Sequence, residues 1–144
     1  MRKGRLLAID YGARHIGLAV SDPDRMMAFG RGKLLNKNIE HLLAQLLSLV
    51  EVEAVSKILI GLPLGPDGEE TEQTSRIRQF AAKLGNYLAA AGLDLEMEFV
   101  DESFSSYEAG RMLDELGVPA RRKKSTEDEL AAVVLIRRYI DFRP

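Results

Sequence analysis

The chain contains no cysteine, which excludes disulfide frameworks and thiolate metal sites. Histidine is nearly as scarce. His15 and His41 are the only two, too few for a histidine-rich zinc centre. Any metal would have to be held by carboxylates, and oxygen donors select hard ions such as Mg2+ or Mn2+. No apolar stretch approaches the roughly 20 residues of a membrane span. The basic start, Met1-Arg2-Lys3-Gly4-Arg5, runs straight into an apolar strand and lacks the apolar region and cleavage site of a signal peptide. A cytoplasmic location with no membrane contact is therefore expected. No excess of one charge sign exists either: 20 basic against 22 acidic side chains, a net charge of −2. Bulk charge does not mark a nucleic-acid binder, so any such affinity would rest on local basic patches. Two are present, Arg2, Lys3 and Arg5 at one end and Arg121 to Lys124 at the other. Repeats, linkers and low-complexity segments are absent. With 144 residues, 46% of them hydrophobic and 29% charged, the expectation is one globular domain spanning 1–144.

What is present is a set of short apolar runs separated by turn residues and two-faced helical stretches. Leu6 to Ile9 and Ile16 to Val20 are near-continuous apolar runs, read as two strands of a hairpin at the centre of a sheet. Met26 to Leu35 supplies a third strand, and Gly30 and Gly32 within it suggest a bulged edge. Ile39, Leu42, Leu43, Leu46 and Val50 follow the 3.6-residue period of a helix over 38–51, capped by Asn36 or Asn38. A fourth strand over 56–61 ends in the Gly/Pro loop 61–68. A second helix begins near Thr71, with Ile77, Phe80, Ala81, Leu84, Leu88 and Ala91 as its buried stripe. A fifth strand over 95–100 ends in Asp101-Glu102.

Ser105 and Glu108 have capping-box spacing and begin a third helix, stopped by Gly117 and Pro119. A basic loop over 120–124 follows. Thr126 and Glu129 form a second capping box, which places Asp128 in the first turn of the last helix. The order β-β-β-α-β-α-β-α-α gives an α/β fold. Its mixed sheet has three antiparallel strands, then two strands parallel to the first, with helices on its faces.

That topology puts Asp10 and Glu102 at the carboxyl ends of parallel strands, the rim where open α/β sheets place ligands. Asp128 comes from a helix whose Ala131 and Ala132 let it lie against the same rim. Taken singly, each acid has an ordinary use: Asp10 as a turn acceptor, Asp101 and Glu102 as turn residues, Asp128 beside a helix dipole. Together, three carboxylates at one rim would repel unless they shared divalent cations, the composition of hard-metal sites for phosphoryl transfer. Gly12, Gly61, Pro63, Asp101 and Ser105 would border such a site. Arg14, Arg122, Lys123 and Lys124 would hold a phosphate backbone.

The blocks LAIDYGARHIGLAVSD (7–22), ILIGLPLGPDGEET (58–71), FVDESFSSYEA (99–109) and KKSTEDELAA (123–132) resemble the YqgF/RuvX family in order and spacing across nearly the whole chain. The resemblance implies the RNase H-like fold, with Asp10, Glu102 and Asp128 at the family's acidic active-site positions. It also implies metal-dependent phosphodiester hydrolysis in RNA or DNA: 5′-end maturation of small-subunit ribosomal RNA, cleavage of branched DNA, or both. The family's resolvase label rests on fold analogy. Where the family pattern has Asp-Glu-Arg, an apolar residue and two threonines, this chain has Ser103 for the arginine, and Ser105 and Ser106 for the threonines. Losing the guanidinium removes a bidentate phosphate ligand, so that substrate contact is either lost or moved to Arg76, Arg111 or the basic loop. Two rivals remain beside the nuclease: a non-catalytic nucleic-acid-binding module of the same fold, and an actin-like ATPase, whose second subdomain this chain is too short to supply. A monomer and a homodimer are both open.

Overall fold

The computed structural model describes residues 3–102, 111, 115 and 120–142, excluding the side chains of 120–126 and 142. The elements run β1 (Arg5–Tyr11), β2 (His15–Ser21), β3 (Ala28–Leu35), α1 (Ile39–Val52), β4 (Val55–Leu62), α2 (Glu72–Ala90), β5 (Glu96–Asp101) and α3 (Ala120–Phe142). The sheet order is β3-β2-β1-β4-β5. β2 runs antiparallel to β1 and to β3, whereas β4 runs parallel to β1 and β5 parallel to β4. This is the five-stranded mixed sheet that the order of elements predicts, and the RNase H-like fold that the family resemblance implies. β1 lies at its centre.

The two-residue period of each strand divides its side chains between two cores. On one face Leu7, Ile9, Ile16, Leu18, Ile58 and Ile60 pack against Leu42, Leu46 and Val50 of α1 and Ile77, Phe80, Leu84 and Leu88 of α2. On the other, Leu6, Ala8, Ala19 and Leu59 meet Ala132, Val133, Leu135 and Ile136 of α3. The second face is built from smaller residues, so α3 sits close to it.

Local chemistry starts the first two helices where the sequence indicates. The Asn38 side chain accepts from the His41 N–H at 3.0 Å and begins α1. Thr71 and Thr74 cap α2 reciprocally, each hydroxyl accepting from the other's backbone N–H. Past the end of α2, Gly92 takes φ +86°, a conformation that favours glycine. Ala91 is the exposed C-cap rather than a member of the buried stripe.

The last helix differs from expectation. Residues 120–124 are not a loop, and Thr126 and Glu129 are not a cap: α3 already begins at Ala120. Ala, Arg and Lys are among the best helix formers, and their propensity prevails over the local Ser-Thr-x-x-Glu signal. Asp128 consequently lies in the third turn. The helix expected from Ser105 falls outside the described residues, apart from Arg111 and Glu115, both helical.

Candidate active site

Asp10 stands one residue from the end of β1, paired in register with Gly17 of β2. Alternation places its side chain with Leu6 and Ala8 on the α3 face. Two glycines flank it. A Cβ on Gly17 would collide with the main-chain oxygen of Asp128. Gly17 is thus the point where α3 lands on the sheet, and the landing carries Asp128 to Asp10's side.

On β4, Ile60 pairs with Ile9 of β1, so Gly61 is the next residue beside Asp10. A Cβ on Gly61 would lie 2.5 Å from Oε2 and 2.8 Å from Cδ of Glu102. The missing side chain there is the space that the Glu102 carboxyl fills. Glycine inside an apolar strand marks a close approach, and here one glycine admits each neighbouring acid.

Glu102 follows the last residue of β5, and its N–H still bonds the Leu62 carbonyl at 3.2 Å. Val100 packs on the α3 side. The strand period therefore turns Glu102 inward to the same side and leaves Asp101 exposed. Arg138 of α3 donates from its guanidinium to the Asp101 carbonyl at 3.0 Å and ties the end of β5 to the helix. Earlier in α3, Glu129 accepts the Gly32 N–H at 3.0 Å, which pins the helix to β3. At the tip of β1, the ring of Tyr11 lies 4.7 Å from that of Phe80, anchoring the strand to α2.

Asp10 and Glu102 share a hydrogen bond between their side chains. Burial, first, pushes Glu102 up to about 10. Its bond to Asp10, and repulsion by Asp10 and Asp101, add to the rise, and Arg138 opposes it. Burial also raises Asp10, helped by the charge of Asp128, while the bond from Glu102 pulls it down. Without a cation, burial therefore favours one proton shared by the pair at neutral pH. The donors are all hard oxygens, which fit Mg2+ or Mn2+. Among the described residues, however, no three His, Asp or Glu side chains are gathered closely enough to hold an ion. The centre is a buried carboxyl pair, and the charge of Asp128 acts on Asp10.

The remaining expected site residues fall in three groups. Gly12 and Arg14 form the β1–β2 turn, where Arg14 is exposed. The carbonyls of Gly12 and Arg14 accept from the side chain and backbone of Asn36, each at 2.8 Å. Pro63 opens the loop after β4 and is half-buried. Arg122, Lys123 and Lys124 lie in the first turns of α3, ahead of Asp128, and Ser105 lies outside the described residues. The sequence reading did not single out Gly17 or Arg138. Gly17 carried a visible signal as a glycine within an apolar strand, whereas Arg138 became visible only once α3 was laid against β5.

A mixed sheet in this order, with an acid at the tip of its central strand and a long helix across one face, defines the RNase H-like class. The chain belongs to the RuvX family: the model for "RuvX: Holliday junction resolvase" matches residues 4–142. It is 39% identical over 140 residues to a protein of Koribacter versatilis (strain Ellin345) named "Putative pre-16S rRNA nuclease", covering 97% of this chain and 88% of the relative. A protein of the same name from Porphyromonas gingivalis (strain ATCC BAA-308 / W83) is 39% identical, with 96% of each chain covered. Among solved structures, T. thermophilus RuvC in complex with Holliday junction substrate superposes with a TM-score of 0.58 at 14% identity, covering 96% of this chain and 95% of that one. The yeast mitochondrial Holliday junction resolvase Ydc2 gives 0.52 at 13% identity, covering 94% and 77%. These two structures share the fold. No helix among the described residues is long and apolar enough to cross a membrane.

Proposed function

We propose that the protein is a divalent-metal-dependent nuclease that hydrolyses phosphodiester bonds, with the 5′ leader of pre-16S ribosomal RNA as its substrate. The observation that carries this reading is the placement of the Glu102 carboxyl in the space at Gly61, beside Asp10, with the Asp128 main chain against Gly17 on its other side. A buried site with more carboxylate charge than it can keep ionised favours binding cations. Asp10, Glu102 and Asp128 would hold the divalent cations. The chemistry such cations would supply there is activation of a water and a counter-charge for the leaving oxygen.

The chain's own residues do the rest. Gly61 leaves room for the Glu102 carboxyl beside Asp10, and Gly17 lets the Asp128 main chain come down next to it. Arg138 fixes the end of β5 and thereby Glu102. Burial of the pair keeps bulk water from screening the carboxylate charge. Arg14 and the basic turns at the start of α3 would bind the backbone through phosphates, which positions a strand without reading its sequence. Sequence relatives bearing the rRNA nuclease name align over nearly their whole length, which favours RNA over a four-way DNA junction.

The test is cleavage of a panel: a 5′-extended 16S precursor, a single-stranded RNA, a duplex and a four-way junction, each in Mg2+, Mn2+ and chelator. Metal-dependent trimming of the precursor is expected. Binding to the panel with no cleavage in either metal would leave a non-catalytic binding module in its place.

A further inference from the structure

Building on the nuclease reading, we propose that Lys33 of β3 is a phosphate-binding residue of the substrate groove. The nucleic-acid backbone then reaches the carboxylates across the ends of β2 and β3, not over the loop between β4 and α2.

Register places Lys33 in one row with the site. Lys33 pairs with Gly17, and Gly17 pairs with Asp10. Two strand spacings separate Lys33 from Asp10, about 10 Å between backbones. A bulge makes this possible. Ala19 pairs with Gly30 while Gly17 pairs with Lys33, so β3 advances three residues where β2 advances two. The extra step is taken at Gly32, with φ +74°, the conformation that glycine supplies in such bulges. Gly30 and Lys33 therefore share the α3 face despite their odd spacing. Leu34, next along, packs into the opposite core with α1 and α2, which fixes Lys33 on the side of Asp10 and Asp128.

Charge on the two sides of the rim differs. Lys33 is exposed and has no ion pair among the described residues, whereas Arg31, Lys57, Arg76 and Arg78 are each paired with glutamates. Exposed Arg14 and Lys37 stand at the same end of the sheet, where the Asn36 N–H meets the Arg14 carbonyl. On the far side of Asp10, the segment after β4 carries Asp67, Glu69, Glu70 and Glu72, all exposed. The nearby arginines, Arg76 and Arg78, are already engaged by Glu72 and Glu70. A polyanion is repelled there and attracted over β3. Lysine on an edge strand also discourages sheet-to-sheet pairing, but that role is served anywhere along the strand and does not need the row of Asp10.

The experiment measures binding of a labelled 5′-extended 16S precursor and a labelled four-way DNA junction by anisotropy against salt, with Ca2+ replacing Mg2+. Wild type, Lys33→Gln, Lys33→Arg and Lys83→Gln are compared; Lys83 is an exposed lysine of α2 on the opposite face. Lys33→Gln should lower the slope of log affinity against log salt by about 0.7–0.9, the value of one bound phosphate. Lys33→Arg should keep the slope, and Lys83→Gln should match wild type. An unchanged slope in Lys33→Gln, or an equal drop in Lys83→Gln, overturns the assignment while leaving the nuclease reading intact. Failure of wild type to bind either probe overturns both.

Discussion

Replacing Glu102 by Gln isolates the charge state of the site from both substrate and metal. Folding buries the Glu102 carboxyl beside Asp10 and raises its pKa from 4.5 to about 10. An acid with a higher pKa in the folded state binds more protons folded than unfolded. Stability is therefore lost as pH rises above 4.5, and the loss continues until the folded value is passed near 10. At pH 7 the cost is set by the span from 4.5 to 7, or roughly 3 kcal/mol. That figure is the same wherever the folded value lies, provided it is well above 7. At pH 5 the cost is below about 1 kcal/mol.

Glutamine copies the protonated acid in shape and offers its amide N–H to Asp10, without a proton to lose. In chelator, Glu102→Gln should then exceed wild type by about 3 kcal/mol at pH 7 and by less than about 1 kcal/mol at pH 5. At roughly 2–4 °C per kcal/mol for a chain of this size, the melting temperatures should differ by about 6–12 °C at pH 7. Thermal melts followed by circular dichroism at the two pH values read this directly. A gap that is absent, or that fails to widen from pH 5 to pH 7, refutes the shared-proton description of the pair.

The remaining predictions concern the architecture around that pair. Gly17→Val places atoms where the Asp128 main-chain oxygen lies, so urea unfolding should show a destabilisation of about 1–3 kcal/mol from overpacking, with cleavage falling further as Asp128 is displaced; full stability would mean that α3 does not land there. Thr71→Ala removes one half of the reciprocal cap on α2 and should cost about 1 kcal/mol without altering cleavage of the precursor. Replacing Lys123 and Lys124 together by Ala should weaken binding equally for unrelated sequences and lower the salt slope by about 0.7–0.9 for each phosphate no longer bound. Single-turnover cleavage at saturating enzyme should change far less, and a collapse of that rate at unchanged affinity would place these residues in the chemistry.

Much of this arrangement is legible before folding because its signals are local. The apolar runs over 6–9 and 16–20, the Asn38 and Thr71 caps and the crossover order define five strands and two helices, and the observed sheet has that topology. The start of α3 was not legible, since a correct-looking cap at Thr126 competes with the helix propensity of Ala120 to Lys124 and only tertiary docking decides between them. The rim that gathers Asp10 and Glu102 can be deduced from strand direction alone. What brings their side chains into contact cannot, because Gly61 works by being adjacent to Asp10 across a parallel ladder. Lys33 was hidden for a related reason: its face depends on a one-residue bulge at Gly32, and a strictly alternating strand would separate it from Gly30. Arg138 is 37 residues from the carbonyl it holds, beyond any local pattern.

Single-turnover cleavage of the 5′-extended 16S precursor in Mg2+, with Asp10→Asn set against wild type, bears most directly on the metal-dependent nuclease. Asn keeps the shape of the aspartate and removes the central charge, so the variant should fold, melt no lower than wild type in chelator, and cleave at the level of buffer alone. Cleavage by Asp10→Asn at the wild-type rate, or wild-type cleavage undiminished in chelator, would contradict the assignment.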